Sequence, residues 1–246
     1  MNDFILRPDW PAHARVRAAQ TLRFGGVSRG AFASLNVASH VGDDPDAVAE
    51  NRARLRHTLG LPSEPLWLTQ MHGTDVADTD TDSDASRTAD AVVMRRAGKV
   101  CVIQTADCLP VLVAHQDGTC VAAAHAGWRG LSAGVLEATV HALGEPTDRL
   151  IAWLGPAIGP DTFEVGDEVR AAFLAHDTRA ASAFVGNARG RWQADLYLLA
   201  RQRLLAMGLA EIYGGGLCTA ADSRRFFSHR RDGASGRMAT LIWLDS

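Results

Sequence analysis

The sequence lacks the features that mark membrane and secreted proteins. It has no apolar run near the roughly 18 residues needed to span a bilayer, and residues 1–16 contain no continuous apolar segment of the kind found in signal peptides. Four cysteines in 246 residues are too few for a disulfide framework. We therefore expect a cytoplasmic protein with reduced cysteines and no membrane partner.

Lysine is scarce: only one of the 25 basic residues is lysine, and the other 24 are arginine. The net charge of −3 gives no electrostatic reason to bind nucleic acid. Any local anion site must depend on arginine, whose planar guanidinium suits phosphate and carboxylate groups.

Closely spaced metal-ligand motifs are missing as well. The nine histidines form no His-x-His pair, which the trinuclear cluster of a multicopper oxidase requires, and the cysteines form no CxxC motif. Instead, the turns at 70–73, 105–110 and 125–130 each carry one metal-binding side chain beside an apolar, strand-like run. Functional residues concentrate on such loops next to a rigid scaffold.

The three side chains are His72, Cys108 and His125, separated by 36 and 17 residues. Two imidazoles and a thiolate leave one tetrahedral position free for water or substrate. This arrangement is typical of a catalytic zinc, whereas structural zinc sites usually have four protein ligands. If the three residues meet in space, the pattern predicts an enzyme.

The apolar pattern predicts an α+β fold in a single domain over residues 1–246. Strands joined mostly by short turns, with helices inserted singly, favour this class over a regular βαβ repeat. A helix should open at Asp44-Pro45, with Asp43 or Asp44 as its cap, and end at Gly60. Further helices are predicted at 131–143, 167–176 and 195–207, and strands at 66–69, 91–94, 100–103, 110–114, 120–124, 150–154, 211–218 and 238–244.

An acidic run at 78–90 superficially matches a calcium-binding loop. Ser83 stands where the tight-turn glycine belongs, and Ala89 stands where the bidentate glutamate belongs. The composition instead predicts a solvated loop.

Several other side chains are candidates for substrate contact. Arg129, four residues after His125, is a candidate anion contact near the metal. The segment 226–233 interleaves aromatic and cationic side chains. It fits an anion-binding or base-stacking wall, or equally a strand edge with solvated arginines. Cys101 and Cys120 lie within strand-like runs and are predicted to be core residues, while Cys218 is ambiguous.

The chain resembles the YfiH family, also known as laccase-domain or polyphenol-oxidase-like proteins and as peptidoglycan editing factors. The resemblance covers nearly the whole chain and rests on ordered motifs, which lie at 25–28, 34–36, 40–44, 51–52, 70–73, 89–91, 105–110, 125–130, 155–160 and 228–237. One departure is His229, since the family commonly has tyrosine at this position.

The resemblance implies layered mixed β-sheets flanked by helices in an α/β/β/α sandwich. It also implies a zinc enzyme, with His72, Cys108 and His125 as ligands, that phosphorolyses adenosine, inosine or S-methyl-5′-thioadenosine and deaminates adenosine. A zinc with an open position can activate the water that deamination requires. The partners would be a purine nucleoside and phosphate, and we expect a monomer.

Phosphorolysis also needs groups for phosphate and for the leaving purine. We predict that Arg129, with Arg230 or Arg231, contacts the phosphate. Asp107 is a candidate for the acid that protonates the purine, unless its carboxyl points away from the site.

Other functions use the same residues. One is a metal-free hydrolase with Cys108 as nucleophile and His125 or His72 as base. The editing-factor name implies hydrolysis of a cell-wall precursor, or a binding role without chemistry. A copper-dependent polyphenol oxidase is the least favoured alternative, although copper could occupy the zinc site.

Overall fold

The computed structural model describes residues 4–81 and 88–246, which form strands, helices and short 3₁₀ turns. The strands are β1 (Ile5–Leu6), β2 (Val16–Thr21), β3 (Val76–Asp78), β4 (Ala91–Met94), β5 (Cys101–Thr105), β6 (Leu109–His115), β7 (Val121–Ala126), β8 (Leu150–Leu154), β9 (Glu164–Val165), β10 (Phe184–Gly186), β11 (Trp192–Ala194), β12 (Glu211–Gly214) and β13 (Met238–Leu244). The helices are α1 (Pro45–Leu59), α2 (Trp128–Ala133), α3 (Val135–Leu143), α4 (Asp167–Leu174), α5 (Leu196–Ala206) and α6 (His229–Asp232).

The described strands form three sheets. The largest has six strands in the order β12-β8-β6-β7-β4-β3, and a second has four in the order β1-β2-β13-β5. The six-stranded sheet is mixed, because β12 and β3 each run parallel to their neighbour while the inner pairs are antiparallel. This arrangement confirms the predicted α+β fold with layered mixed sheets.

The six-stranded sheet is covered on both faces, which explains why its strands are apolar throughout. In β6, Val111 and Val113 pack with helices α3 and α5, whereas Leu112 and Ala114 pack toward the four-stranded sheet. Alternate residues of a strand point to opposite faces, so burial of both faces requires a continuous apolar run. The sheet is therefore a rigid central layer, and its strand ends make a firm base for a site.

Helix α1 begins and ends as its capping residues predict. Asp44 accepts a hydrogen bond from the amide of Asp46 at 3.0 Å, and Pro45 occupies the first helical position. Gly60 ends the helix in the left-handed conformation, at φ +60°. The helix buries Leu55 in the core between the two larger sheets.

Three predicted elements differ from the structure. The segment 131–143 is not one helix, because Gly134, at φ +106°, separates α2 from α3. The predicted strand at 66–69 is reduced to isolated bridges at Leu66 and Thr69. The strand predicted at 211–218 stops at Gly214, where three successive glycines adopt positive φ. Such backbone angles are incompatible with a regular ladder.

The acidic loop predicted at 78–90 lies partly outside the described residues, since 82–87 are not described. Among the helices of the described part, none combines the length and apolar character needed to cross a bilayer.

Candidate metal centre

Two of the three predicted ligands lie at the same end of adjacent strands. Strands β6 and β7 are antiparallel, and Pro110 pairs with His125. Cys108 immediately precedes β6, and His125 is the penultimate residue of β7. A separation of 17 residues in sequence therefore becomes a short distance in space, because the hairpin folds back on itself.

Asp90 brings the more distant His72 to this strand end. The Asp90 carboxylate accepts hydrogen bonds from three successive backbone amides, those of Met71 at 3.1 Å, His72 at 2.9 Å and Gly73 at 2.6 Å. Successive amides that converge on an anion form a nest. His72 has φ +62°, a left-handed conformation that costs a residue other than glycine about 1–3 kcal/mol and must be held by its surroundings.

The three candidate ligand atoms converge. One donor atom from each of His72, Cys108 and His125 lies within 4.8 Å of the other two. The Cys108 Sγ is 3.8 Å from His72 Nε2, and the two imidazole rings stand nearly perpendicular, with their centroids 4.7 Å apart. His125 is buried, Cys108 is partly buried and His72 is exposed, so the group opens to solvent on one side.

Asp90 also orients His125. Its Oδ1 lies 2.8 Å from His125 Nδ1, with both side chains buried. Burial raises the pKa of Asp90, but the bonds from His125 and from the amides of Gly73 and His72 outweigh burial and hold the pKa below its ordinary value. The ionised carboxylate accepts a hydrogen bond from Nδ1–H and leaves Nε2 free to bind a metal, which is the usual carboxylate–histidine arrangement. Sequence reasoning assigned no role to Asp90.

Glycine at position 127 allows the ligands to approach. A Cβ atom there would lie 2.9 Å from both Cys108 Sγ and His72 Cδ2. A Cβ at Gly130 would lie 2.8 Å from the carbonyl oxygen of Gly73. The turn at 125–130 therefore needs glycine at positions 127 and 130, because a side chain there would clash with the site.

The electrostatics favour a thiolate at Cys108. Burial raises the pKa of the thiol, but the His125 and His72 rings outweigh it and lower the pKa to about 6. Burial lowers the pKa of His125, while the charges and hydrogen bonds of Cys108 and Asp90 raise it to about 9. Without a metal, the pair is a thiolate beside an imidazolium. Two imidazoles and a thiolate are the donor types that zinc takes, so this group fits a zinc ion.

The Asp107 carboxylate is hydrogen-bonded to the segment 219–230. Its Oδ1 accepts from the Thr219 hydroxyl at 2.6 Å and its Oδ2 from the Arg230 amide at 2.6 Å. Both oxygens are thus used to anchor the Cys108 turn to the segment 219–230. This bonding favours a positioning role over the predicted role as proton donor to the purine.

Arg231 has no free guanidinium donor. Its five N–H groups bond the carbonyls of Thr219, Ala220 and Phe226 and both carboxylate oxygens of Asp232. A guanidinium has only five donors. The geometry favours a structural role for Arg231, and its predicted phosphate contact has no donor to spare.

Arg129 and Arg230 are more available. Arg129 is exposed, and its guanidinium lies 4.5 Å from the Trp128 ring centroid. Arg230 is exposed and uses Nη1 for the carbonyl of Glu164 at 2.9 Å. His229, where the family resemblance predicts tyrosine, is exposed and donates from Nδ1 to the carbonyl of Gly233 at 2.6 Å, a local contact at the end of α6.

The other cysteines lie in different surroundings. Cys101 and Cys120 are buried, as the sequence predicts. Cys218 is partly buried, and its sulfur accepts hydrogen bonds from the amides of Gly159 at 3.2 Å and Ala221 at 3.4 Å. In the described part of the chain, the His72–Cys108–His125 group is the one cluster of three or more potential metal ligands.

Comparison with known proteins places these features in a family. Residues 17–245 match the family model described as multi-copper polyphenol oxidoreductase laccase. The chain is 57% identical over 242 residues to a protein from Pseudomonas aeruginosa named purine nucleoside phosphorylase, covering 97% of this chain and 98% of that one. It is 51% identical over 240 residues to the Escherichia coli protein named purine nucleoside phosphorylase YfiH, covering 98% of each.

Structural comparison agrees. A crystal structure of a Neisseria meningitidis protein superimposes with a TM-score of 0.95 at 48% identity, covering 99% of this chain and all of that one. The similarity extends over the whole fold that carries the trio. The chain therefore belongs to the YfiH family, whose model is described as multi-copper polyphenol oxidoreductase laccase.

Proposed function

We propose that the protein is a zinc-dependent purine nucleoside phosphorylase that also deaminates adenosine. The observation that carries the proposal is the convergence of His72, Cys108 and His125 donor atoms within 4.8 Å, with one side open to solvent. The names of the Pseudomonas aeruginosa and Escherichia coli relatives, at 57% and 51% identity, supply the substrate class and the phosphorolytic reaction.

In this proposal the three side chains hold the zinc, and Asp90 holds two of them in position. It fixes the His125 tautomer through Nδ1 and fixes the His72 loop through three amides. When bound, zinc would act as a Lewis acid and could bring the pKa of water at the free position to about 7. Deamination would then place a water oxygen on C6 of adenine and release ammonia.

Phosphorolysis makes different demands on the chain. A phosphate oxygen must bond to the ribose C1′ while the C1′–N9 bond breaks and the purine takes up a proton. Arg129 and Arg230, both exposed, are the predicted phosphate contacts that retain donors. The preferred nucleosides are proposed to be adenosine, inosine and S-methyl-5′-thioadenosine, following the family resemblance.

Metal content and turnover, measured together, test the proposal. Mass spectrometry of freshly purified protein should find about one zinc per chain, and adenosine in phosphate buffer should yield adenine with ribose 1-phosphate, and inosine. Cys108→Ala should lose the zinc and both products. Cys120→Ala, which removes a buried thiol in another part of the sheet, should retain both. Protein without zinc that is inert toward adenosine would contradict the proposal.

One observation favours a second candidate function, a thiol hydrolase acting on a cell-wall precursor. Without a metal, Cys108 and His125 favour a thiolate–imidazolium pair near neutral pH, because each lowers or raises the pKa of the other in that direction. This is the activated state of a cysteine nucleophile. Chelation separates the two functions, because it should silence a zinc enzyme and leave a thiol hydrolase active.

The multicopper reaction suggested by the family description is not supported. Such oxidases need a type 1 copper and a trinuclear cluster, and the described residues hold one candidate cluster of three ligands. All nine histidines lie in the described part, so no further histidine can complete a trinuclear site.

A further inference from the structure

The glycine-rich segment at 25–44 is fixed by a buried polar network. Asp43 Oδ2 accepts from the Ser28 hydroxyl at 2.6 Å and from Asn36 Nδ2 at 2.9 Å. Asn51 of α1 donates to Ser28 Oγ at 2.9 Å and to the carbonyl of Asn36 at 2.8 Å. Asn36 and Asn51 are fully buried. Fully bonded networks of this kind hold a segment in one conformation.

This fixed segment meets the C-terminal strand at Arg237. The Arg237 amide donates to Asn36 Oδ1 at 2.9 Å, and the Val37 amide donates to the Arg237 carbonyl at 3.3 Å. The carbonyl of Val37 accepts from Arg52 Nε at 2.8 Å. The Arg237 carbonyl therefore binds the amide of Val37, and the Arg52 side chain binds its carbonyl.

Strand β13 places Arg237 beside the Cys108 turn. Met238, the next residue, pairs with Thr105 at the end of β5, and the Cys108 turn follows directly. Gly236 is closely packed, since a Cβ there would lie 2.7 Å from Phe227 and 2.9 Å from Asn36. The backbone of Arg237 thus lies between the fixed loop and the candidate metal centre.

The Arg237 guanidinium keeps donors free, unlike that of Arg231. Its Nη1 donates to the carbonyls of Ser235 at 2.8 Å and Gly236 at 3.1 Å. Its Nε and Nη2 form no hydrogen bond within the described residues, and the side chain is only partly buried. Burial lowers the pKa of Arg237, while the negative charges of Cys108 and Asp107 raise it, so the guanidinium lies within the field of both groups.

His40 lies in the field of the same cations. Its pKa is lowered by burial, then by the charges of Arg237 and Arg52. The charges of Arg237 and Arg52 therefore act on the same region of the molecule. In the described part of the chain, neither Arg52 nor Arg237 forms an ion pair with a carboxylate. An anion that binds Arg237 therefore does not have to displace a carboxylate of the described residues.

We propose that Arg237 binds inorganic phosphate beside the metal centre. The inference deepens the phosphorolysis proposed above and rests on it for the reaction, although phosphate binding itself does not require turnover. Nε and Nη2 of a guanidinium form the fork that pairs with two phosphate oxygens. Held there, phosphate could place a third oxygen against the ribose C1′ as the C1′–N9 bond breaks and its electron pair leaves with the purine.

Equilibrium dialysis of the zinc-loaded protein against radiolabelled inorganic phosphate tests this directly. Arg237→Gln should weaken phosphate binding about 10- to 100-fold, the loss expected for hydrogen bonds to a charged group. Arg237→Lys keeps the positive charge but lacks the two-pronged guanidinium. Its phosphate affinity should lie between those of the wild type and Arg237→Gln. Arg54→Gln is the matched control, since Arg54 is an exposed residue of α1 paired with Glu50, and it should bind as the wild type does.

Kinetics separate this inference from the proposed function. In Arg237→Gln the KM for phosphate should rise by the same factor, and this rise should far exceed any change in the rate of adenosine deamination in phosphate-free buffer. Arg54→Gln should keep the wild-type KM for phosphate. Unchanged phosphate binding in a zinc-loaded, folded Arg237→Gln variant would overturn the inference. A parallel loss of zinc, deamination and phosphate binding would also overturn it, because it would show that Arg237 only supports the fold. Wild-type protein that binds phosphate through Arg237 without phosphorolysis would contradict the proposed function alone.

Discussion

Cys101 and Cys108 are seven residues apart and differ in almost every physical respect. Cys101 is fully buried within β5, and burial, aided by the charges of Asp80 and Asp78, raises the pKa of its thiol far above the ordinary value. Cys108 lies in a turn beside two imidazoles, which lower its pKa to about 6. Burial alone makes a thiol inert, whereas imidazole neighbours make it a ligand or a nucleophile.

The backbone shows the same contrast. Cys101 pairs regularly with Ile242 of β13. The Cys108 turn and the His72 loop contain the two residues other than glycine with positive φ in the described part, Asp107 at +96° and His72 at +62°. Strained residues of this kind cluster at functional sites when their surroundings hold them. Here Thr219 and the Arg230 amide bind Asp107, and Asp90 binds the amide of His72.

The largest expected contrast is in thiol reactivity. In protein stripped of metal, iodoacetamide should alkylate Cys108 with a half-maximal rate near pH 6, because the thiolate forms above the lowered pKa of about 6. The rate should fall as pH falls through 6, and Cys101 should stay unmodified until the protein unfolds. Peptide-resolved mass spectrometry follows each cysteine separately. A half-maximal rate near pH 8.5, the ordinary cysteine value, would contradict the account.

Replacement of Asp90 should have the next largest effect. Asp90→Asn removes the charge that holds His125. It also replaces one carboxylate oxygen, an acceptor, by an NH2 donor that faces the N–H donors of the loop. Loss of such an outer partner typically weakens metal binding about 10- to 100-fold. Zinc affinity measured by competition with a chelator checks this. Asp117→Asn, at an exposed surface pair with Arg149, is the matched control, and equal affinities in the two variants would show that Asp90 does not position the ligands.

A smaller effect is expected at Gly127. Gly127→Ala would place a Cβ 2.9 Å from Cys108 Sγ and His72 Cδ2, and overpacking of this kind costs about 1–3 kcal/mol. We expect zinc affinity to fall about tenfold, by the same competition assay, while the protein stays folded. Gly186→Ala serves as control, because the nearest atom to its added Cβ is 3.7 Å away. Wild-type zinc affinity in Gly127→Ala would show that the ligands do not need this close approach.

The smallest functional effect is expected at Cys101. Cys101→Ala removes one buried atom from β5 and should lower the free energy of unfolding by about 1 kcal/mol. Zinc content and adenosine turnover should match the wild type. Urea unfolding and metal analysis measure the two quantities on one preparation. A loss of zinc in this variant would remove the distinction between the two cysteines.

The sequence predicts the fold best where the signal is local. Capping at Asp44 and Gly60 defines α1, and apolar runs predict β4 to β8 to within a few residues. The predicted strand at 66–69 failed because an apolar run does not say whether a neighbouring strand continues beside it. The predicted helix at 131–143 failed because its apolar spacing continues across Gly134, although the backbone there is left-handed.

The candidate ligands could be chosen from the sequence because imidazole and thiol groups in glycine-containing turns are chemically distinctive. Asp90 and Arg237 could not be chosen in this way. Asp90 acts through amides 17 to 19 residues away, and Arg237 acts through a strand pairing that spans more than 130 residues. Arg231 illustrates the opposite case, since only the structure reveals that all five of its donors are used.

X-ray absorption at the zinc edge, on protein purified without added metal, tests the central claim most directly. The account predicts one zinc per chain with a single sulfur at about 2.3 Å and two imidazole nitrogens at about 2.0–2.1 Å, and loss of the sulfur signal in Cys108→Ala. Zinc without a sulfur ligand, or protein that binds no zinc while Cys108 is intact and reduced, would contradict it.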